Sequence, residues 1–350
     1  MVVEEAMMEN PLYDAVCEYF RQADERIVFR ALPRQIADVM GRELRPTLEA
    51  LVAAMFDGDA TLHWEIVCPT CGGRGEKHNW LRHAKHEAFC ENCQMAFTVH
   101  LDGESQATFS PHPTLRALGP EADDTEFQRQ LRKQYPPTTV HELLTIQSFR
   151  DWAREQPLPE DEHLEVSRMV IWFSDLAGST ALYERIGDPL GFHLVRDHFE
   201  LLFDAIHGSE GAVVKTTGDG VMAVFLSGKR ALEAALAAHR AVTDFNRDQA
   251  LPEDKRLSLK VGIHAGPAIA VTLNERLDYF GTSVNLASRL DGLARGGEVV
   301  LTESVFGEPG IEALAAACAV ESFRTSVRGL SQSLTAYRLS IAGIDSPSPG

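Results

Sequence analysis

The stretch VVKTTGDGVMAVF, Val213–Phe225, sets one lysine and one aspartate inside an otherwise apolar run. It reads as two strands joined by a Gly-Asp-Gly turn. A buried hairpin has no packing use for Lys215 or Asp219, so the two charges ask for a site. Upstream, MVIWF is a buried strand, followed by helical ALYERI and PLGFHLVRDHFELLFDAIHG. In the longer helix Phe192, Val195, Phe199, Leu202 and Ile206 fall on one predicted apolar stripe. Downstream come the helix KRALEAALAAHRAVTDFN, the strand pair LSLKVGIHAGPAIAVTL, the helix SVNLASRLDGLA and the strand GEVVLTESVF. From Leu164 onward the order strand–helix–strand–strand–helix–strand predicts an α+β, ferredoxin-like βαββαβ domain. Such a fold does not specify a function, so the site must.

Composition narrows the partners. The 350 residues are 44% apolar and 24% charged, as in an ordinary globular protein of two domains. A net charge of −18 disfavours nucleic-acid backbones and anionic membranes. The acidic start MVVEEAMMEN is no secretory signal, and no run approaches the roughly 20 apolar residues that span a bilayer. A cytoplasmic protein without a membrane segment is expected. Four of six cysteines form two CxxC pairs, which in a reducing compartment suggests metal more than disulfides. Cys17 and Cys318 read as packed thiols.

Asp175 ends the MVIWF strand and Asp219 occupies the hairpin turn. In a ferredoxin-like sheet these strand ends can be neighbours, and paired carboxylates suit Mg²⁺, which leaves other positions to phosphate and water. The following LAGST opens a helix, where the N–H groups of Gly178, Ser179 and Thr180 could cradle a polyphosphate. Taken singly, each aspartate is also an ordinary turn or cap residue. Asn285 and Arg289, four apart on a predicted helix, share one face that suits a phosphate or sugar, or simply solvent. Lys215 and Asp278 supply a donor and an acceptor.

Together FSDLAGST, VVKTTGDGVMAVF and LDYFGTSVNLASRL resemble, in order and spacing, the class III adenylate and guanylate cyclases, over about Leu164 to Leu339. The resemblance implies divalent metals, Mg²⁺ or Mn²⁺, two per site, held by Asp175, Leu176 and Asp219. It implies that Lys215 and Asp278 read adenine, Asn285 positions the ribose and Arg289 stabilises the transferring phosphate. Guanine presents the opposite hydrogen-bond pattern, so the Lys–Asp pair favours ATP over GTP. The family's site lies between two such domains. One domain with both residue sets then implies a homodimer, with Lys215 and Asp219 serving opposite sites. Arg328, in SVRGLSQ, is a candidate for the triphosphate. His264 reads as a packed histidine rather than a base. ALYERIGD and ERLDYFG are similar to bacterial members.

In the N-terminal half, Cys68-x₂-Cys71 and Cys90-x₂-Cys93 have the spacing of a structural zinc ribbon, although reduced packed thiols or a redox switch remain alternatives. His78, His83 and His86 are spare ligands, and the basic loop with Trp80 has a faint nucleic-acid character. Short amphipathic helices fill 11–56, and 119–139 reads as a polar linker. The expected organisation is a helical and zinc-ribbon-like regulatory domain at 1–135, a coupling segment at 136–163, a cyclase domain at 164–342 and a disordered tail at 343–350. The leading function is an adenylate cyclase. A guanylate cyclase, and a catalytically silent zinc-ribbon protein using the fold to sense nucleotides, are the alternatives.

Overall fold

The computed structural model describes residues 11–78, 85–153, 158–159, 161–274, 276–326 and 333–341. The chain divides into two compact units. One is Met1–Val166 with Ala270–Leu277; the other is Ser167–Ile269 with Asp278–Gly350.

The first unit opens with helices α1 (Pro11–Gln22), α2 (Glu25–Val28), α3 (Pro33–Val39) and α4 (Leu44–Phe56). Their buried stripe includes Val16, Phe20, Ile36, Leu48 and Leu51, the 3.6-residue period expected of helices lying on a core. Three strands follow in the order β2 (Arg74–His78), β1 (Ala60–Val67), β5 (Ser105–Pro111), with a separate hairpin of β3 (Glu87–Cys90) and β4 (Met95–Thr98). Residues 119–139, expected as a linker, instead hold α5 (Thr125–Gln134). Asp124 caps it by accepting from the Phe127 N–H at 3.0 Å, and wholly buried Gln128 donates to the Phe29 carbonyl at 3.0 Å. The buried Gln128 amide ties this polar helix to the backbone carbonyls of Arg26 and Phe29. Helices α6 (Val140–Leu143) and α7 (Gln147–Ala153) complete the unit.

The second unit is built on one sheet, ordered β12 (Cys318–Thr325), β13 (Leu334–Ile341), β11 (Glu298–Thr302), β9 (Leu259–Leu273), β6 (Leu164–Leu176), β8 (Gly220–Phe225), β7 (Ala212–Thr217). β10 (Arg276–Phe280) pairs with β9. The central order β9-β6-β8-β7, with helices α8 (Ser179–Ile186) and α9 (Asp188–Gly208) after the first strand and α10 (Gly228–Asp248) after the third, is the ferredoxin-like α+β arrangement. Beyond it lie α11 (Thr282–Leu290), α12 (Glu303–Phe306) and α13 (Ile311–Ala315). Trp172, Phe225, Val261 and Leu301 carry the core from strand to strand, each wholly buried. Each such side chain contributes about 1.5–3 kcal/mol.

The buried line of α9 is Leu194, His198, Leu202, Ala205 and Ile206, while Phe192 is 68% exposed. The expected stripe was thus right in its second half and out of phase in its first. His198, a polar residue, takes the inward position that apolar counting assigned elsewhere. The 343–350 tail and Arg328 lie outside the described residues.

Candidate functional site

Within the second unit the β6–β8 register pairs Val170 with Phe225 and Phe173 with Met222. It carries the end of β6 to the start of β8. There the Val221 N–H donates to Ser174 Oγ at 3.1 Å. A Cβ on Gly220 would lie 1.9 Å from the Ser174 carbonyl oxygen. Only glycine permits that approach, and it draws the Asp219 turn against the Asp175 strand end. Burial pushes the Asp219 carboxyl above the ordinary carboxylate value; a hydrogen bond from Ser179 opposes this and the Asp175 charge adds to it. Asp219 Oδ2 is buried without a hydrogen-bond partner among the described residues. A buried carboxylate oxygen lacking a donor is what a cation would satisfy. The two aspartates therefore fit a divalent metal on this chain's own geometry. Leu176 follows Asp175 on the same strand, with its side chain buried. Gly178 caps α8 in the left-handed conformation, and Ser179 and Thr180 open that helix.

Two further residues join this cluster that the sequence reading missed. Lys260 Nζ makes an ion pair with Asp175 Oδ2. Asp291 is raised by burial and feels Asp175, Lys260 and Asp219. Its closeness has a cause, since a Cβ on Gly262 would stand 2.6 Å from the Asp291 amide nitrogen. The backbone after α11 thus rests on β9, the strand bearing Lys260. A charged residue within the alternating LSLKVGIH strand was the available signal for Lys260. Tyr183 on α8 is pushed up to about 12, chiefly by burial and then by both aspartates. Buried His198 is lowered to about 4 by desolvation, and so stays neutral beside them.

Lys215 and Asp278 come together as an ion pair. A bulge between Val213 and Lys215 interrupts the β7–β8 register, the kind of feature that re-aims a side chain. Asp278 is buried, and its Oδ1 accepts from the Tyr279 N–H at 2.8 Å. One oxygen is thus held by backbone and the other by the lysine. Asn285 and Arg289 lie on the exposed face of α11, whose other side buries Val284, Leu286, Ala287 and Leu290. The 3.6-residue period made that face legible beforehand. His264 Nδ1 meets Thr302 Oγ1 at 2.9 Å, and burial lowers it to about 4, as suits a packed histidine.

In the first unit, Cys68, Cys71, Cys90 and Cys93 bring their sulfurs within 4.8 Å of one another. Cys68–Cys93 is 3.6 Å and Cys71–Cys90 is 3.5 Å. Four thiolates at the usual Zn–S length of about 2.3 Å stand about 3.8 Å apart in a tetrahedron, so the cluster fits a metal ion. The Cys71 N–H, and also the Thr70 N–H, lower the Cys68 thiol to about 6, while burial pushes its neighbour Cys93 up to about 12. His86 is not part of the cluster: its Nδ1 pairs with Glu162 Oε2 at 2.8 Å. His78 ends β2, and His83 and Trp80 lie outside the described residues. Among the described residues no helix is long and apolar enough to cross a membrane.

A ferredoxin-like sheet with paired carboxylates, an adjacent lysine and a separate Lys–Asp pair has the features of a catalytic α+β domain suited to metal-bound phosphate. Residues 162–329 match the adenylate and guanylate cyclase catalytic domain. An adenylate cyclase of Anabaena cylindrica is 33% identical over 161 residues, covering 41% of this chain and 32% of that protein. A putative adenylate cyclase 3 of Rhizobium meliloti is 35% identical over 132 residues, covering 38% and 22%. This chain therefore spans less than a third of either relative. The adenylyl cyclase CyaB from P. aeruginosa superposes with a TM-score of 0.43 at 22% identity, over 53% of this chain and 98% of that one.

Proposed function

We propose that this chain is an adenylate cyclase, converting ATP to 3′,5′-cyclic AMP and pyrophosphate. The observation that carries the reading is the carboxylate pair. Asp219 is held beside Asp175 with one oxygen lacking a donor among the described residues, next to a lysine paired to its neighbour. Asp175, Leu176 and Asp219 would hold two divalent cations, Mg²⁺ or Mn²⁺. When bound, these supply Lewis-acid charge that lowers the pKa of the ribose 3′-hydroxyl and offsets the triphosphate. The 3′-oxygen attacks the α-phosphorus, its proton leaves to solvent, and the bond to the pyrophosphate oxygen breaks. The N–H groups of Gly178, Ser179 and Thr180 face the phosphates, and Lys260 offers them a cation. Arg289 stabilises charge on the transferring group and Asn285 orients the ribose. Arg328 remains a proposed triphosphate contact.

Lys215 donates to adenine N1 and Asp278 accepts from the N6 amino group. Their ion pair supports ATP over GTP, because guanine would leave both groups mismatched in a partly buried site. The relatives named adenylate cyclases support the same choice. We further propose a homodimer in which the aspartates of one copy work with the base-reading pair and the Asn–Arg face of the other. The four cysteines would hold a structural Zn²⁺, and the N-terminal unit would regulate the enzyme.

The test is product formation by the full chain with ATP or GTP and Mg²⁺ or Mn²⁺, resolved by chromatography. Cyclic AMP that disappears in Asp175→Ala is the expected result. No cyclic nucleotide from the full chain or from residues 160–350 would overturn the reading.

A further inference from the structure

We propose that Arg150 is a positioning residue for base recognition: its buried guanidinium holds the Leu277 carbonyl and so fixes the peptide that presents Asp278. This rests on the reading of Lys215 and Asp278 as the adenine-reading pair.

Arg150 lies on α7 and is wholly buried, as no arginine is without reason. Its Nη2 donates to the Leu277 carbonyl at 3.1 Å. A guanidinium stays charged at any ordinary pH, and burying it costs free energy that an apolar residue of similar volume avoids. Packing alone does not ask for it. Its geometry offers something that packing does not, namely planar donors aimed at a chosen oxygen.

That oxygen occupies a particular place in the chain. The Leu277 carbonyl and the Asp278 N–H belong to one planar peptide, so holding the carbonyl restrains the rotation that orients Asp278. The strand also changes unit at this bond. The hairpin end Ala270–Leu277 belongs with the N-terminal unit, and Asp278 begins the return to the catalytic one. Thr272 Oγ1, donating to the Leu158 carbonyl at 3.0 Å, is a second hold on the same hairpin end. Past the bond, the Tyr279 N–H holds Asp278 Oδ1, and Leu277, Asp278 and Tyr279 are all buried. Three consecutive residues are thus pinned, the first by a side chain of the segment that precedes the catalytic strand.

Recognition of an amino group by a carboxylate tolerates placement errors of only about 0.5 Å. A restraint one peptide away therefore bears on which base is accepted more than on the chemistry at the metals.

The experiment compares Arg150→Lys and Arg150→Met with wild type in the full chain, using ATP and GTP with Mn²⁺. The expected result for Arg150→Met is a KM for ATP raised about tenfold, with kcat less affected, and an ATP-to-GTP ratio of kcat/KM lowered about tenfold. Arg150→Lys should lie between. Losses equal for the two nucleotides, leaving the ratio unchanged, would overturn the proposal. Hydrogen exchange supplies a readout that needs no activity. Amides of 277–280 should exchange about tenfold faster in Arg150→Lys, with the Val213–Phe225 hairpin unchanged. Unchanged exchange at 277–280 would also overturn it. If wild type makes no cyclic nucleotide, the cyclase reading fails while exchange still decides whether Arg150 anchors the strand.

Discussion

Exchanging Asp219 for asparagine removes a charge that the fold holds against its own preference. The carboxyl is raised by burial and by Asp175, and its Oδ2 has no donor among the described residues. Two carboxylates at about 4 Å repel by about 4 kcal/mol at the effective dielectric of a protein surface. Lys260, paired to Asp175, offsets part of this, and a buried amide in place of the carboxylate costs about 1–3 kcal/mol if its N–H₂ stays unpaired. The net expectation for Asp219→Asn without divalent cations is a gain of about 1 kcal/mol. For a unit of this size that is about 2–4 °C in melting temperature. In wild type, Mn²⁺ at a hundred times its Kd should add about 2.7 kcal/mol, and in the variant almost none. Cyclase activity should fall about a hundredfold or more. The assay is calorimetry in buffer passed over a cation-exchange resin, because a soluble chelator would also reach the cysteine cluster. A variant less stable than wild type in metal-free buffer, or one equally stabilised by Mn²⁺, would refute the argument, since Asp219 would then be a structural turn residue.

Lys215→Met leaves the buried Asp278 carboxylate without its cation; with allowance for the half-exposed lysine, about 1 kcal/mol of stability should be lost. In a nucleotide assay its loss of kcat/KM should be greater with ATP than with GTP. Replacing Cys71 or Cys90 by serine should lower bound zinc from about one per chain toward none by elemental analysis, and should loosen β3–β4 in hydrogen exchange. Buried His198 and His239 and partly buried His264 are lowered to about 4, 3 and 4, each chiefly by desolvation. The unfolded chain then takes up protons first, so stability is full above about pH 6.5 and falls as pH drops toward 4. Between pH 7.5 and 5.5 the three together should cost about 4 kcal/mol, read as a shift of the urea midpoint. A midpoint independent of pH would contradict their neutral burial.

The patterns legible in the sequence were those whose physics is local. A Gly-Asp-Gly turn, a CxxC knuckle and an i, i+4 helix face are set by a few consecutive dihedrals, and Asp219, the four cysteines, Asn285 and Arg289 were readable for that reason. Local periodicity failed where burial was decided elsewhere. Phe192 lies exposed while His198 points inward, because the sheet beneath α9 sets which side of the helix is covered. The helix Thr125–Gln134 looked like a linker because Gln128 finds its acceptors on Arg26 and Phe29, about a hundred residues away. Lys260 and Asp291 became neighbours of Asp175 only through strand order and the close approach at Gly262. Arg150 meets the Leu277 carbonyl only because the end of a distant hairpin reaches it. By itself the sequence determined the element order and the residue types of the site. Tertiary structure decided which charges meet, because strand register and the burial of one element by another are properties of residues far apart in the chain.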